Sequence, residues 1–272
     1  MANTLFDLSD RVSVVSGAAR GMGRSTSLAL ADAGSHLVLV DRDGDGLTET
    51  AEMIAERGRR CLPVTMDVSD GSRVCELYEQ VDEEFGRVDF VANIAGEGMI
   101  VDPLDLTEDQ LIQVFKNLVI GRYLSCREAG RRMLAAGRGS IVNIGSLASI
   151  TALGRSHVSY SMAMGAVVQM TRELSTEWSG HGVRVNAILP AQVINPGLQE
   201  RIDADPALKD RFLSGIPSGR MGVPEDIQGL MVLLASDASS WITGALIPMD
   251  GGNLAMNAGG TPGWTTGVKP SE

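Results

Sequence analysis

Val12-Ser13-Val14-Val15-Ser16-Gly17-Ala18-Ala19-Arg20-Gly21-Met22-Gly23 decides how this chain is read. A β-rich run passes through a glycine-spaced turn into a helix-like stretch, and that context gives the GxxxGxG spacing its meaning. Gly17 allows a tight turn, Gly21 lets the backbone approach a pyrophosphate, Gly23 permits close helix packing, and the helix N-terminus offers free N–H donors to the anion. Arg20 and Met22 lie in the same turn and are counted with the glycines as cofactor contacts. Asp41 closes the next β-rich run, where a carboxylate accepts bonds from the adenosine ribose hydroxyls and repels a 2′-phosphate. NAD is therefore expected over NADP. Arg20 and Arg42 pull the other way, since either can pair with a phosphate, or equally sit in a solvated ion pair.

Working outward, apolar β-rich runs alternate with segments of helical period, the pattern of βαβ units. Strands are expected at Val12–Ser16, His36–Val40, Cys61–Met66, Val88–Asn93, Ser140–Gly145, Val183–Leu189 and Ala245–Met249. Helices are expected near Gly21–Ala33, Gly44–Arg57, Gly71–Phe85, Glu108–Ala136, Val158–Trp178 and Glu225–Leu234. Runs such as Leu37-Val38-Leu39-Val40 are apolar on both faces, as in a sheet covered on each side by helices. The reading is an α/β fold: a single doubly wound domain with a seven-stranded, mostly parallel sheet and helices on both faces.

Residues 1–252 form the dinucleotide-binding and catalytic domain, with a substrate lid near 192–222, where Leu198, Ile202, Leu208, Phe212, Leu213 and Ile216 mix with charges. Residues 253–272 form a tail, frayed or packed at a subunit interface through Met256 and Trp264. With 34 acidic against 23 basic residues and a net charge of −11, nucleic acid is excluded as a partner. No apolar run is long enough for a membrane span, and the N-terminus lacks a signal peptide's features, so a cytoplasmic protein is expected. The three cysteines have no CxxC spacing, which argues against a disulfide framework and for no metal site.

These motifs, in this order, make the chain resemble the short-chain dehydrogenase/reductases from about Leu8 to Gly252. Ser16-Gly17-xxx-Gly21-x-Gly23 is similar to the family's glycine motif, Asp67-Val68 to its adenine-contacting pair, and Asn93-Ile94-Ala95-Gly96 to its NNAG strand end, with Asn93, Ala95 and Gly96 as cofactor residues. Asn117, Ser146 and Tyr160 match the tetrad asparagine, serine and tyrosine. Pro190-Ala191-Gln192-Val193-Ile194-Asn195 resembles the Pro-Gly-x-x-x-Thr that holds the nicotinamide, giving Pro190, Val193 and Asn195. The resemblance implies a Rossmann domain and a homotetramer. It also implies an NAD(H)-dependent enzyme interconverting a secondary alcohol and a ketone, with Tyr160 as acid/base and cofactor contact, Ser146 orienting the oxygen and Asn117 structural.

One position breaks the pattern. The family's YxxxK reads Tyr160-Ser161-Met162-Ala163-Met164, so methionine stands where a lysine would bind the ribose and favour the phenolate, and by its place in the motif Met164 is still counted with the cofactor residues. A thioether carries no charge and donates nothing. Arg155 and His157, just upstream, are the nearest substitutes in sequence, and Glu97 is a candidate base. Two other readings stay open: a dinucleotide-binding subunit with little redox turnover, and a non-redox lyase or isomerase on the same fold.

Overall fold

The computed structural model describes residues 4–256, 260–262 and 265. Strands β1 (Val12–Ser16), β2 (His36–Asp41), β3 (Cys61–Thr65), β4 (Phe90–Asn93), β5 (Gly139–Ile144), β6 (Val183–Pro190) and β7 (Leu246–Met249) make one sheet in the order β3-β2-β1-β4-β5-β6-β7. Every strand pair is parallel. Each of the residues of β1 and β4 is buried, whereas the two edge strands are partly open and carry Pro63 and Pro248, residues an interior strand would not accept. The order reverses between β1 and β4, and the carboxyl ends of these two strands open the crevice where such folds take a ligand.

Helices α1 (Gly21–Asp32), α2 (Gly44–Ala55) and α3 (Gly71–Phe85) follow the first three strands. Asp43 caps α2 by accepting from the Gly46 N–H, and Asp70 caps α3 by accepting from the Ser72 N–H. The single helix expected over 108–136 is two: α4 (Glu108–Phe115) and α5 (Gly121–Ala136), joined by a π-helical turn at Lys116–Ile120. That turn carries an extra residue in the helical path and rotates the faces presented on either side of it. Helix α6 (Val158–Trp178) agrees with expectation. The last expected helix starts as a tight 3-10 turn at Pro224–Ile227, where proline lacks an N–H, and continues as α9 (Gln228–Ala235).

The segment expected to act as a lid carries two short helices, α7 (Pro196–Ala204) and α8 (Ala207–Leu213), with a small core of Ile202, Leu208, Phe212, Ile216 and Met221. Its ends are sewn together where Gly222 N–H donates to the Gln192 carbonyl at 3.0 Å and Ile194 N–H donates to the Gly222 carbonyl at 2.9 Å. The two ends of the segment are therefore held together. Trp264 of the tail lies outside the described residues. Among the described residues no helix is long and apolar enough to cross a membrane.

Candidate active site

The glycine turn is fixed by sterics. Gly17 has φ +75° and its absent Cβ would lie 3.1 Å from the Ala95 nitrogen, while a Cβ on Gly23 would lie 1.9 Å from the Gly17 carbonyl oxygen. Gly21, at φ +56°, faces open space. Ser16 Oγ accepts from the Ile94 and Ala95 N–H groups at 3.0 and 3.2 Å and so locks the ends of β1 and β4 together. The resulting cavity of about 730 Å³ is lined by Gly17, Arg20, Gly21, Met22, Gly23, Asp41, Arg42, Asp67, Val68, Ala95, Gly96, Asn117 and Asn195, so most of the expected cofactor residues come together.

Asp41 Oδ2 accepts from Ala19 N–H at 3.1 Å, and Oδ1 accepts from Arg42 N–H at 2.7 Å, which fixes the carboxylate at the end of β2. Arg42 reaches across the groove to Glu97 at 3.5 Å. This pair engages both the arginine counted for a phosphate and the carboxylate counted as a base.

A second cavity of about 430 Å³ adjoins the first at Gly98, Asn195 and Gly197, and Ser146, Tyr160, Pro190 and Val193 line it. Ser146 sits after β5 as the cap of a 3-10 turn, its Oγ accepting from Ala148 N–H at 3.2 Å, which leaves the hydroxyl proton for an outside acceptor. The Tyr160 ring covers Gly98, where an added Cβ would meet Cδ2 at 2.5 Å. His157 stands edge-on to that ring at 6.3 Å, with Nδ1 turned back to the Arg155 carbonyl at 2.6 Å. Asn117, in the π-helical turn, donates to the Glu97 carbonyl at 3.2 Å and holds the loop after β4. Asn195 caps α7, accepting from Leu198 N–H at 3.0 Å, and Gln192 Oε1 is buried with no hydrogen-bond partner at the rim of this cavity.

Two expected residues line neither cavity. Asn93 is buried and donates to Asn143 Oδ1 at 3.0 Å, bracing β4 against β5. Met164 is 1% exposed and packs in a cluster with Leu118, Ala163 and Tyr160. Beneath it lies a residue that sequence reasoning missed: Arg122, 4% exposed, whose Nη1 is 4.0 Å from Met164 Sδ.

The family model described as enoyl-(acyl carrier protein) reductase matches residues 17–253. The D-threitol dehydrogenase of Mycolicibacterium smegmatis is 35% identical over 252 residues, covering 91% of this chain and 94% of that protein. The 2-dehydro-3-deoxy-D-gluconate 5-dehydrogenase of Dickeya dadantii is 35% identical over 251 residues, covering 92% and 98%. A gluconate 5-dehydrogenase of Burkholderia cenocepacia, solved with NADP and tartrate, superposes with a TM-score of 0.88 at 25% identity, covering 94% of this chain and 99% of that one. The chain belongs to the short-chain dehydrogenase/reductase family. It is an NAD(P)-dependent oxidoreductase acting on CH–OH groups, and the glycine cradle and the orphaned Gln192 oxygen fit a nicotinamide dinucleotide.

Proposed function

We propose that the protein interconverts a secondary alcohol and a ketone on a polyhydroxylated acid, with NAD(H) preferred and Tyr160 as the proton carrier. The observation that carries the substrate reading is the pair Arg155 and Arg201 in the cavity that holds Ser146 and Tyr160. Among the described residues no carboxylate pairs with either arginine. Partial burial, then Arg201 and Arg211, push the Arg155 guanidinium below its ordinary value, so an anion arriving there relieves mutual repulsion. Arg155 and Ser156 hold φ of +55° and +61°, a backbone conformation costing on the order of 1 kcal/mol each, which aims this loop at the cavity. The match to a sugar-acid dehydrogenase supports the same substrate class.

A bound nicotinamide dinucleotide supplies the hydride acceptor for oxidation and the donor for reduction. In oxidation the substrate hydroxyl gives its proton to the Tyr160 oxygen as its carbon loses hydride, and the reverse direction returns that proton to the ketone oxygen. Ser146 Oγ–H donates to the same substrate oxygen and holds it against Tyr160. Asn117 acts by holding the Glu97 carbonyl and the loop that frames the groove. Gln192 Oε1 takes a donor from the ligand, and closure of the lid excludes water. Asp41 supports NAD: its carboxylate is held by backbone N–H groups toward the groove and stands against a 2′-phosphate.

Exposed Ile120 in the π-helical turn, Tyr123 on α5 and Met162 on α6 are apolar side chains that support assembly with further copies, as in a homotetramer. The substrate reading is tested by steady-state kinetics on C5 and C6 sugar acids and their neutral polyols. Arg201→Gln is expected to raise KM for the acids roughly tenfold, the loss of a charge-assisted pair, and leave the polyols unchanged. Equal effects on both would refute the anion site.

A further inference from the structure

Arg122 opens α5, where Gly121 lies so close to the backbone of Val68 that an added Cβ would meet its carbonyl oxygen at 2.2 Å. This approach carries the next side chain under the crevice. Its Nη1 donates to the Ile144 carbonyl at 2.7 Å, at the end of β5, and its Nη2 donates to the Ala95 and Ile94 carbonyls at 3.1 and 3.4 Å, beyond the end of β4. Nη1 also meets Met164 Sδ, and Nε is buried with no partner. A buried guanidinium without a carboxylate is costly, and the carbonyls satisfy its donors without cancelling its charge. Burial pushes its pKa down to about 10, which still leaves it charged at neutral pH.

The ionisable groups around it narrow what that charge acts on. On its own helix Cys126 is neutral, its thiol pushed up by burial to about 12. From the loop after β4 the Glu97 carboxylate turns away to Arg42. From α6 Tyr160 packs against the same cluster as Met164, the side chain that Arg122 meets, and Arg155 and His157, in the loop before α6, line the neighbouring cavity. Asn93 and Asn143, on the strands, carry no charge.

We propose that Arg122 is a positioning residue that supplies, from α5, the positive charge missing four residues after Tyr160, stabilising the negative charge that Tyr160 gains when it loses its proton. Arg122 itself is buried, so its charge is weakly screened. Met164 is its counterpart: an uncharged side chain is required there because a lysine would set a second cation against Arg122. The inference rests on Tyr160 being the proton carrier.

The titration at the centre of the test needs no substrate. The chain has three tyrosines, and burial pushes the Tyr78 phenol well above its ordinary range. In a Tyr123→Phe background the first rise of phenolate absorbance with pH reports Tyr160, and Tyr160→Phe must remove it. Arg122→Gln keeps donors for the carbonyls and removes the charge, and it is expected to move that rise upward by roughly one pH unit or more, with Arg122→Lys restoring it. Arg122→Met, followed with far-ultraviolet circular dichroism, serves as a second charge-free variant should the glutamine variant not fold. An unmoved rise in a folded charge-free variant overturns the inference. If Tyr160→Phe abolishes alcohol oxidation while that rise stays unmoved, the inference alone fails; if Tyr160→Phe keeps oxidation, the acid/base reading beneath it fails.

Discussion

The guanidinium Nη1 of Arg122 lies 4.0 Å from the Sδ of Met164, across the junction of α5 and α6. The two residues therefore share one buried site, and only one of them can carry a charge without a compensating acid. Met164→Lys alone is expected to destabilise the protein by about 3 kcal/mol, because an ammonium group is forced into a 1% exposed position beside a cation. Adding Arg122→Leu is expected to recover most of that loss. Urea unfolding of both single variants and the double variant measures the coupling, and strictly additive effects would show that the two positions are independent.

The proposed preference for NAD(H) rests on Asp41. Wild type is expected to bind NAD(H) at least roughly tenfold more tightly than NADP(H), about 1.4 kcal/mol, and Asp41→Ala to erase most of the difference. Calorimetric titration with the four nucleotides checks this. If wild type binds NADP at least as tightly, Arg20 and Arg42 dominate the pocket, as a neighbour solved with NADP allows.

One ion pair stands beside Gly222, where the two ends of the 192–222 segment are bridged. Asp226 receives Arg220 on both carboxylate oxygens at 2.7 Å and the Val223 N–H at 2.8 Å, and Arg220, then that N–H, hold its pKa down to about 2 from an ordinary 3.8. A depressed carboxylate contributes stability above its unfolded value and loses it as pH falls through its folded one, so the contribution fades between about pH 4 and 2. Asp226→Asn is expected to cost about 1 kcal/mol at pH 7 and nothing measurable below the lower bound, by urea unfolding across pH. A cost that persists in acid would assign the effect to shape rather than charge.

Much of the architecture was legible because its determinants are local. The glycine turn follows from a strand, a turn and a helix within twelve residues, and the both-face apolar strands announce a covered parallel sheet. Thr107 to Gln110 even spells the capping box that starts α4. The π-helical turn was not legible, because the apolar period runs through Lys116–Ile120 without a proline or glycine to mark the break. Arg122 was missed for a related reason. In sequence it is one of several arginines on a helix with many polar positions, and its partners are 22 to 42 residues away in chain order. A search for a substitute cation near Tyr160 in the sequence finds Arg155 and His157, which line the cavity and are not in the buried cluster that holds Met164. The one local clue was Gly121, whose missing side chain lets α5 come close enough to bury its neighbour.

The most direct test of the whole account is the formation of reduced nicotinamide, followed by absorbance, when the protein and NAD are mixed with a panel of sugar acids and polyols. The account predicts reduction with at least one secondary alcohol of this class and a loss of at least roughly a hundredfold in Tyr160→Phe, the usual worth of a positioned acid/base. Tight NAD binding with no reduction across the panel, or full activity in Tyr160→Phe, would contradict it.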